Sequence, residues 1–99
     1  MAERSNYVLQ AKVFMALADP TRLQVVELLA NSSQMSTSDL AELLGTSLSL
    51  TCHHLKQLVE VGIVEKRKDG QTKFFSLDRE ALSLALIDVK AFSAQQFQP

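Results

Sequence analysis

The sequence lacks several features that would assign it to a class. It has one cysteine, which cannot form a disulfide within the chain. It has no apolar run long enough to span a membrane, and its N-terminal residues do not show the charged-then-apolar pattern of a signal peptide. It has no repeats, low-complexity tracts or internal linkers. We therefore expect a cytoplasmic protein, without a membrane partner, that forms a single domain over residues 1–99.

The net charge of −1 does not by itself indicate a nucleic-acid-binding protein, but the cations are unevenly placed. Lys66, Arg67 and Lys68 form a run, and Lys73 follows shortly after. A nearly neutral domain can bind DNA when its cations lie on one face. A solvated hairpin accounts for the same run, so the run alone leaves both interpretations open.

Two helices are predicted in the first third of the chain. Residues 7–18 are apolar on more than one side, which is typical of a helix buried on two faces. Asp19 is a good N-cap and Pro20 suits the first helical position, so a second helix should run from Pro20 to about Ala30. Its expected inner stripe is Leu23, Val26 and Leu29.

Residues 36–62 have the outline of a helix-turn-helix. Ser36 and Asp39 fit a capping box, and Gly45 is suited to end the short third helix. Ser47 offers the next N-cap, for a fourth helix that ends near Gly62. An ordinary helical hairpin shares this outline, so the chemistry of the fourth helix has to distinguish the two.

The fourth helix carries small, uncharged residues on its predicted outer face. With Leu55 at the centre of the inner face, Leu48, Thr51, Leu58 and Val59 also point inward at roughly 100° per residue. Ser49, Leu50, His53, Gln57 and Glu60 then point outward. Such a surface suits entry into a major groove, and a thymine methyl would explain an exposed Leu50.

Residues 63–77 predict a two-stranded hairpin with a basic tip, since apolar and polar residues alternate around Asp69-Gly70. Such a hairpin directly after a recognition-type helix is a wing.

Segments 1–18 and 79–96 are too apolar for lone surface helices, which predicts that they form a dimer core with a second chain. The alternative is that they pack only on each other within one chain.

These patterns together predict a mainly α fold, a winged helix-turn-helix with about five helices and a two-stranded wing, which dimerises through its first and last helices. The expected DNA-binding residues are Ser47, Ser49, Leu50, His53, His54, Gln57, Arg67, Lys68, Gln71 and Lys73. The expected dimer contacts are Tyr7, Val8, Phe14, Met15, Leu82, Leu86, Val89 and Phe92.

Nearly the whole chain resembles the ArsR/SmtB family of bacterial winged-helix repressors. The resemblance rests on four stretches, in order and at the family's spacing: residues 16–23 (ALADPTRL), 39–45 (DLAELLG), 53–58 (HHLKQL), and the wing residues 61–64, 70–71 and 75–77. It implies a homodimer that blocks a promoter on double-stranded operator DNA until an unknown inducer releases it.

The resemblance also implies two classes of metal site, and neither has its ligands here. The positions of the thiolate site hold Ser36 and Ser38, and hydroxyls are poor ligands for soft or borderline ions. The positions of the zinc site on the last helix hold Arg79, Ala81, Phe92 and Gln95. We therefore expect no metal at either place, no cofactor, and an inducer of another kind.

Cys52 stands where serine is usual in the family. It is expected at the edge of the inner stripe as a half-buried packing residue, or alternatively as a redox switch. Cys52 with His53 or His54 is the only nucleophile–base candidate, and neighbours on one helix do not face each other, so we expect no enzyme. A winged helix that binds only proteins remains the alternative to a DNA-binding regulator.

Overall fold

The computed structural model describes residues 4–86, with the side chains of residues 7–86. Its helices are α1 (Arg4–Leu17), α2 (Pro20–Ala30), α3 (Thr37–Leu44) and α4 (Leu48–Glu60). Residues 79–86 are also helical and are called α5. The strands are β1 (Met35–Ser36), β2 (Val64–Asp69) and β3 (Thr72–Leu77). This is the predicted winged helix-turn-helix fold, with an additional strand.

The helices begin where the sequence places their caps. Asp19 accepts a hydrogen bond from the Arg22 backbone N–H at 3.0 Å, at the start of α2. Ser36 and Ser47 do the same for α3 and α4, at 3.1 and 3.0 Å. Each bond satisfies a backbone donor that a helix leaves unpaired in its first turn. The predicted starts of these three helices are confirmed.

Gly45 makes the tight turn between α3 and α4. Its φ of +66° lies in the left-handed region, which glycine adopts without steric cost. Its backbone N–H donates to the Glu42 carbonyl, and that of Thr46 donates to the Ala41 carbonyl, both at 3.2 Å. This is the paired bonding of a Schellman motif, and it ends α3 as predicted.

The core lies where α2, α3 and α4 meet one face of the sheet. Its fully buried apolar side chains are Val25, Leu29, Leu40, Leu55, Leu58 and Ile63. The expectation that Leu23 faces inward is wrong, because 53% of it is exposed. Leu29 is buried and Val26 packs partly against the core, as expected, and Val25 is the buried residue of α2 that was not expected.

The sheet has three antiparallel strands in the order β1-β3-β2, not the two predicted. β1 has only two residues, Met35 and Ser36, which pair with Phe75 and Phe74. A two-residue strand is too short to show an alternating pattern, so the sequence gives no signal for it. The hairpin turn also lies one residue later than expected, because Asp69 pairs with Thr72 across Gly70 and Gln71.

No helix within residues 4–86 is both long and apolar enough to cross a membrane.

Candidate nucleic-acid interface

The N-terminal half of α4 presents an exposed polar surface on a fixed scaffold. Ser47, Ser49 and His53 are exposed, and 46% of Leu50 is exposed. On the inner side of the helix, Thr51 is fully buried, and its hydroxyl donates to the Ser47 carbonyl one turn earlier at 2.8 Å. The structure therefore exposes these four predicted DNA-binding residues together at one end of the helix.

The inner face of α4 is rotated from its expected position. Its buried residues are Thr51, His54, Leu55 and Leu58. At roughly 100° per residue their centre lies about 50° from Leu55, on the side of His54. Leu48, expected to point inward, is therefore 55% exposed. The same rotation leaves Cys52 exposed, so its expected half-burial is wrong as well.

His54 is buried, and its expected place at the DNA surface is wrong. Its Nδ1 lies 3.3 Å from Nη1 of Arg22 and 3.9 Å from Oδ2 of Asp19. The Arg22 backbone N–H, which donates to the Asp19 carboxylate, lowers the pKa of Asp19 below its ordinary value of 3.8. The charge of Arg22 acts in the same direction, as does that of His54 when its ring is protonated, while partial desolvation opposes them. This cluster holds α4 against the start of α2.

Gln57 is half-buried and does not join the exposed end of α4. It lines a separate cleft between α4 and the first two helices, together with Lys12 and Arg22. Lys56, which is not among the expected DNA-binding residues, is exposed and follows Ser49 by seven residues and His53 by three. That spacing on one helix stripe is the signal that could have identified it.

The strand register divides the cations of the wing between two faces. Lys66 pairs with Phe75, and Lys68 pairs with Lys73. Directly opposed side chains lie on the same face of a sheet, so these three lysines share the face that carries the buried Phe75. Arg67, one residue out of phase, lies on the other face. The sequence predicts a single basic tip, but the structure places Lys68 and Lys73 on one face of the wing and Arg67 on the other.

Arg67 is held by three neighbours on its own face. Its Nη2 donates to Oε1 of Gln34 at 3.0 Å, and its Nη1 lies 3.9 Å from Oδ2 of Asp69. The guanidinium also lies over the ring of Phe74, 5.2 Å from the ring centroid. These contacts join the wing to the loop before β1, and they leave Arg67 less free than the exposed Lys68 and Lys73.

The first helix exposes an apolar stripe on the side away from the core. Val13 and Ala16 are its buried residues, whereas 58% of Tyr7 and 71% of Met15 are exposed. The predicted dimer residues Val8, Phe14 and Leu86 are exposed too, as are Leu9 and Leu84, which were not predicted. Leu82 packs partly against the core of its own chain, and Val89 and Phe92 lie outside the described residues.

Helices α1 and α5 also contact each other within the chain, since Nε2 of Gln10 donates to the Ala85 carbonyl at 2.9 Å. Arg79, at the start of α5, donates to the Ala30 carbonyl at 2.8 Å. The intrachain packing that was the alternative to dimerisation therefore exists. It nevertheless leaves the apolar stripe of α1 uncovered within residues 7–86.

The positions of the family's metal sites are occupied by side chains with other roles. The hydroxyl of Ser36 accepts the capping hydrogen bond of α3. Arg79 is a cation that donates to a carbonyl, and Ala81 packs partly against the core. Among residues 4–86, His, Cys, Asp and Glu form no cluster of three that could hold a metal ion. Phe92 and Gln95 lie beyond that segment.

Comparison with known proteins gives consistent matches. A sequence model of the arsR family of bacterial regulatory proteins matches residues 19–66, from the cap of α2 into β2. The HTH-type transcriptional regulator KmtR of Mycobacterium tuberculosis is 37% identical over 91 residues, which cover 92% of this chain and 68% of KmtR.

A cadmium resistance transcriptional regulatory protein, the CadC homolog of Staphylococcus aureus, is 37% identical over 70 residues. That match covers 71% of this chain, and the chain spans 58% of the length of that relative. Among solved structures, a homodimeric winged helix-turn-helix DNA-binding domain from Mycobacterium bovis superposes with a TM-score of 0.72 at 29% identity. The superposition covers 99% of this chain and 94% of that domain.

Proposed function

Because this chain belongs to the arsR family of bacterial regulatory proteins and is a winged helix-turn-helix transcriptional regulator, we propose that it represses transcription as a homodimer on operator DNA. The observation that carries this proposal is the capped, exposed end of α4 beside the lysine-bearing wing. A rigid helix end with small side chains fits a major groove, and adjacent cations contact phosphate.

We assign base contacts to α4 and phosphate contacts mainly to the wing. Ser49 and His53 offer hydrogen-bonding groups at the exposed end of the helix, and Leu50 offers an apolar contact for a thymine methyl. Ser47 contributes through its position at the N-terminus of the helix. Lys68, Lys73 and Gln71 of the wing, with Lys56 of α4, would contact phosphate or sugar. Arg67 instead positions the wing through Gln34.

The proposed dimer uses the apolar stripe of α1 together with α5. Exposed Tyr7 and Met15 would be buried against a second copy of the chain, and burial of apolar area is the main favourable contribution to such an interface. The homodimeric state of the similar domain from M. bovis supports dimerisation of this chain. Two copies of α4 related by a two-fold axis would contact half-sites about 34 Å apart.

The proposed inducer is not a metal at either family site, because Ser36, Ser38, Arg79 and Ala81 do not supply the required ligands. Catalysis is not part of the proposal: Cys52 and His53 are adjacent on one helix and project about 100° apart. Since its partner is operator DNA, we place the protein in the cytoplasm.

A selection of bound sequences from random double-stranded DNA by the purified full chain tests this function. We expect a two-fold symmetric consensus whose half-site centres are about one helical turn apart. Affinity for that consensus should fall steeply between 50 and 200 mM salt, because bound cations release counterions from the phosphates. Failure to enrich any sequence, with affinity independent of salt, would instead support the protein-binding module.

A further inference from the structure

A cleft of about 360 Å³ separates α4 from the wing. Residues of one helical stripe form its first wall, among them Cys52, Lys56 and Val59. Lys66 and Phe75, which are cross-strand partners, form the opposite wall. Its volume lies in the range of small-molecule sites, which are concave, mostly apolar and edged by a few polar groups.

The floor of the cleft is apolar, and its rim is cationic. Leu55 and Phe75 are buried core residues, and Val59 is half-buried. Lys66 and Lys73 both reach the rim, since Lys73 lies two residues from Phe75 on the same face of β3. An apolar floor below two ammonium groups is complementary to a molecule with an apolar body and one negative end.

The charges around the cleft favour an anion over a neutral molecule. Lys56 and Glu60 lie 4.0 Å apart and largely compensate each other. Within residues 7–86, no carboxylate lies within 4.0 Å of the ammonium group of Lys66 or Lys73. The alternation of β2 places Glu65 and Asp69 on the opposite face of the wing, away from these lysines.

We propose that this cleft binds a small monocarboxylate with an apolar body, and that the bound anion weakens DNA binding. The effect on DNA rests on the proposed function. A carboxylate at the rim would neutralise Lys66 and Lys73, and its body would lie between the recognition helix and the wing. Cys52 and Lys73 are shared with the neighbouring groove beside Ser36 and Gln71, so an occupant adjoins the phosphate-contacting part of the wing.

Calorimetric titration of the full chain with decanoate, without DNA, tests the site. Decanol lacks the charge and acetate lacks the apolar body, so we expect decanoate to bind at least tenfold more tightly than either. In NMR spectra of the same titration, the backbone amide chemical shifts of Cys52, Val59 and Phe75 should change on addition of decanoate. Equal binding of decanol, or shift changes confined to the apolar stripe of α1, would overturn the proposal.

Variants of the cleft, compared with a control outside it, distinguish binding of decanoate in the cleft from non-specific attraction to positive charge. Lys66→Gln should weaken decanoate binding at least tenfold, whereas Lys12→Gln removes the same charge from exposed α1 and should leave it unchanged. Val59→Phe should fill the cleft and reduce binding as well, with its circular dichroism confirming the fold. Equal losses in Lys66→Gln and Lys12→Gln would show non-specific charge attraction and overturn the site.

The effect on DNA is measured separately, with the consensus from the selection. Saturating decanoate should weaken DNA binding by the wild type at least tenfold and have little effect on Lys66→Gln. If decanoate binds in the cleft without any change in DNA affinity, the claim that the anion weakens DNA binding is wrong, whereas the claim that the cleft binds it stands. A protein that binds decanoate but no DNA at all would contradict the proposed function instead.

Discussion

Arg22 of α2 and His54 of α4 meet at the base of the recognition helix, with Nη1 of the arginine 3.3 Å from Nδ1 of the histidine. A guanidinium can only donate, so Nδ1 accepts and we assign the ring proton to Nε2. Nε of Arg22 donates to the Ala16 carbonyl at the end of α1. One side chain therefore joins α1, α2 and α4, and it orients the helix that is proposed to contact DNA.

The first prediction follows from this contact. His54→Ala removes a buried side chain together with the acceptor for Arg22, and it should lower the free energy of unfolding by about 1–3 kcal/mol. The measurement is urea unfolding at a fixed protein concentration. His53→Ala is the matched control, because it changes the same residue type at an exposed neighbouring position and should cost less than about 0.5 kcal/mol. Equal losses would contradict the structural role of His54.

Capping chemistry is the part of the fold that the sequence predicted best. Asp19, Ser36 and Ser47 each bond to the backbone N–H three residues later, and Gly45 ends α3 in the left-handed region. These interactions depend on side chains within a few residues of each other, so they can be inferred locally. The same capping pattern predicted that α4, and with it the proposed DNA-contacting surface, begins after Ser47.

The rotation of α4 and the faces of the wing could not be inferred locally. A buried His54 depends on Arg22, which lies 32 residues away in the chain. The placement of Arg67 depends on the strand register, and a shift of one residue in the turn moves every side chain to the other face. β1 exists only because residues before α3 pair with β3. Each of these features is set by tertiary contacts.

A second prediction concerns acid stability. The pKa of Asp19 is lowered in the folded state, so its carboxylate contributes stability above the unfolded value of 3.8. That contribution is lost as the pH falls through 3.8 toward the folded pKa. Asp19→Asn keeps a capping side chain but removes the charge, so the wild type should be more stable at pH 7, with a smaller difference at pH 3.

Urea unfolding of both proteins at pH 7, 5 and 3 measures this effect. Asp39→Asn is the control, since Asp39 is an exposed carboxylate in the first turn of α3 and lies outside the Asp19 cluster. We expect the pH-dependent part of the stability difference to be larger for Asp19→Asn. If the two substitutions give the same pH dependence, the interactions of Asp19 with Arg22 and His54 do not stabilise the fold.

A third prediction separates the two faces of the wing. Lys68→Gln and Lys73→Gln should each weaken binding to all DNA sequences and reduce the slope of log affinity against log salt by about 1. Gln34→Ala should leave that slope nearly unchanged, because it removes no charge. If Arg67 positions the wing as proposed, Gln34→Ala should still weaken DNA binding by loosening the contact of Arg67 with the loop before β1.

The comparison of Arg67→Gln with these variants decides between two roles. A positioning residue should give a loss of affinity that the Gln34→Ala variant reproduces, with little further loss in the double variant. A direct phosphate contact should give additive losses and a slope change as large as that of Lys68→Gln. The second result would contradict the role assigned to Arg67.

A fourth prediction concerns the dimer. Met15→Asp places a charge in the apolar stripe of α1, where it would be buried without a partner in the proposed interface. The cost should be roughly 3 kcal/mol or more, which raises the dimer dissociation constant about a hundredfold. Leu43→Asp is the control, because Leu43 is also largely exposed but lies on α3. Sedimentation velocity at low concentration should detect monomers of the Met15 variant only; equal dissociation of both would place the interface elsewhere.

The last prediction concerns Cys52, whose exposed thiol lies between α4 and the wing. In the proposed dimer the two recognition helices are about 34 Å apart, whereas a disulfide requires Cα atoms within roughly 7 Å. Oxidants would therefore act on single thiols, by forming sulfenic acid or a mixed disulfide.

Either product, or an N-ethylmaleimide adduct, adds bulk beside the DNA-contacting surface and should release DNA. Cys52→Ser should bind DNA like the wild type and resist hydrogen peroxide, glutathione disulfide and N-ethylmaleimide. If glutathione disulfide and N-ethylmaleimide release DNA from both proteins equally, modification of Cys52 does not control binding.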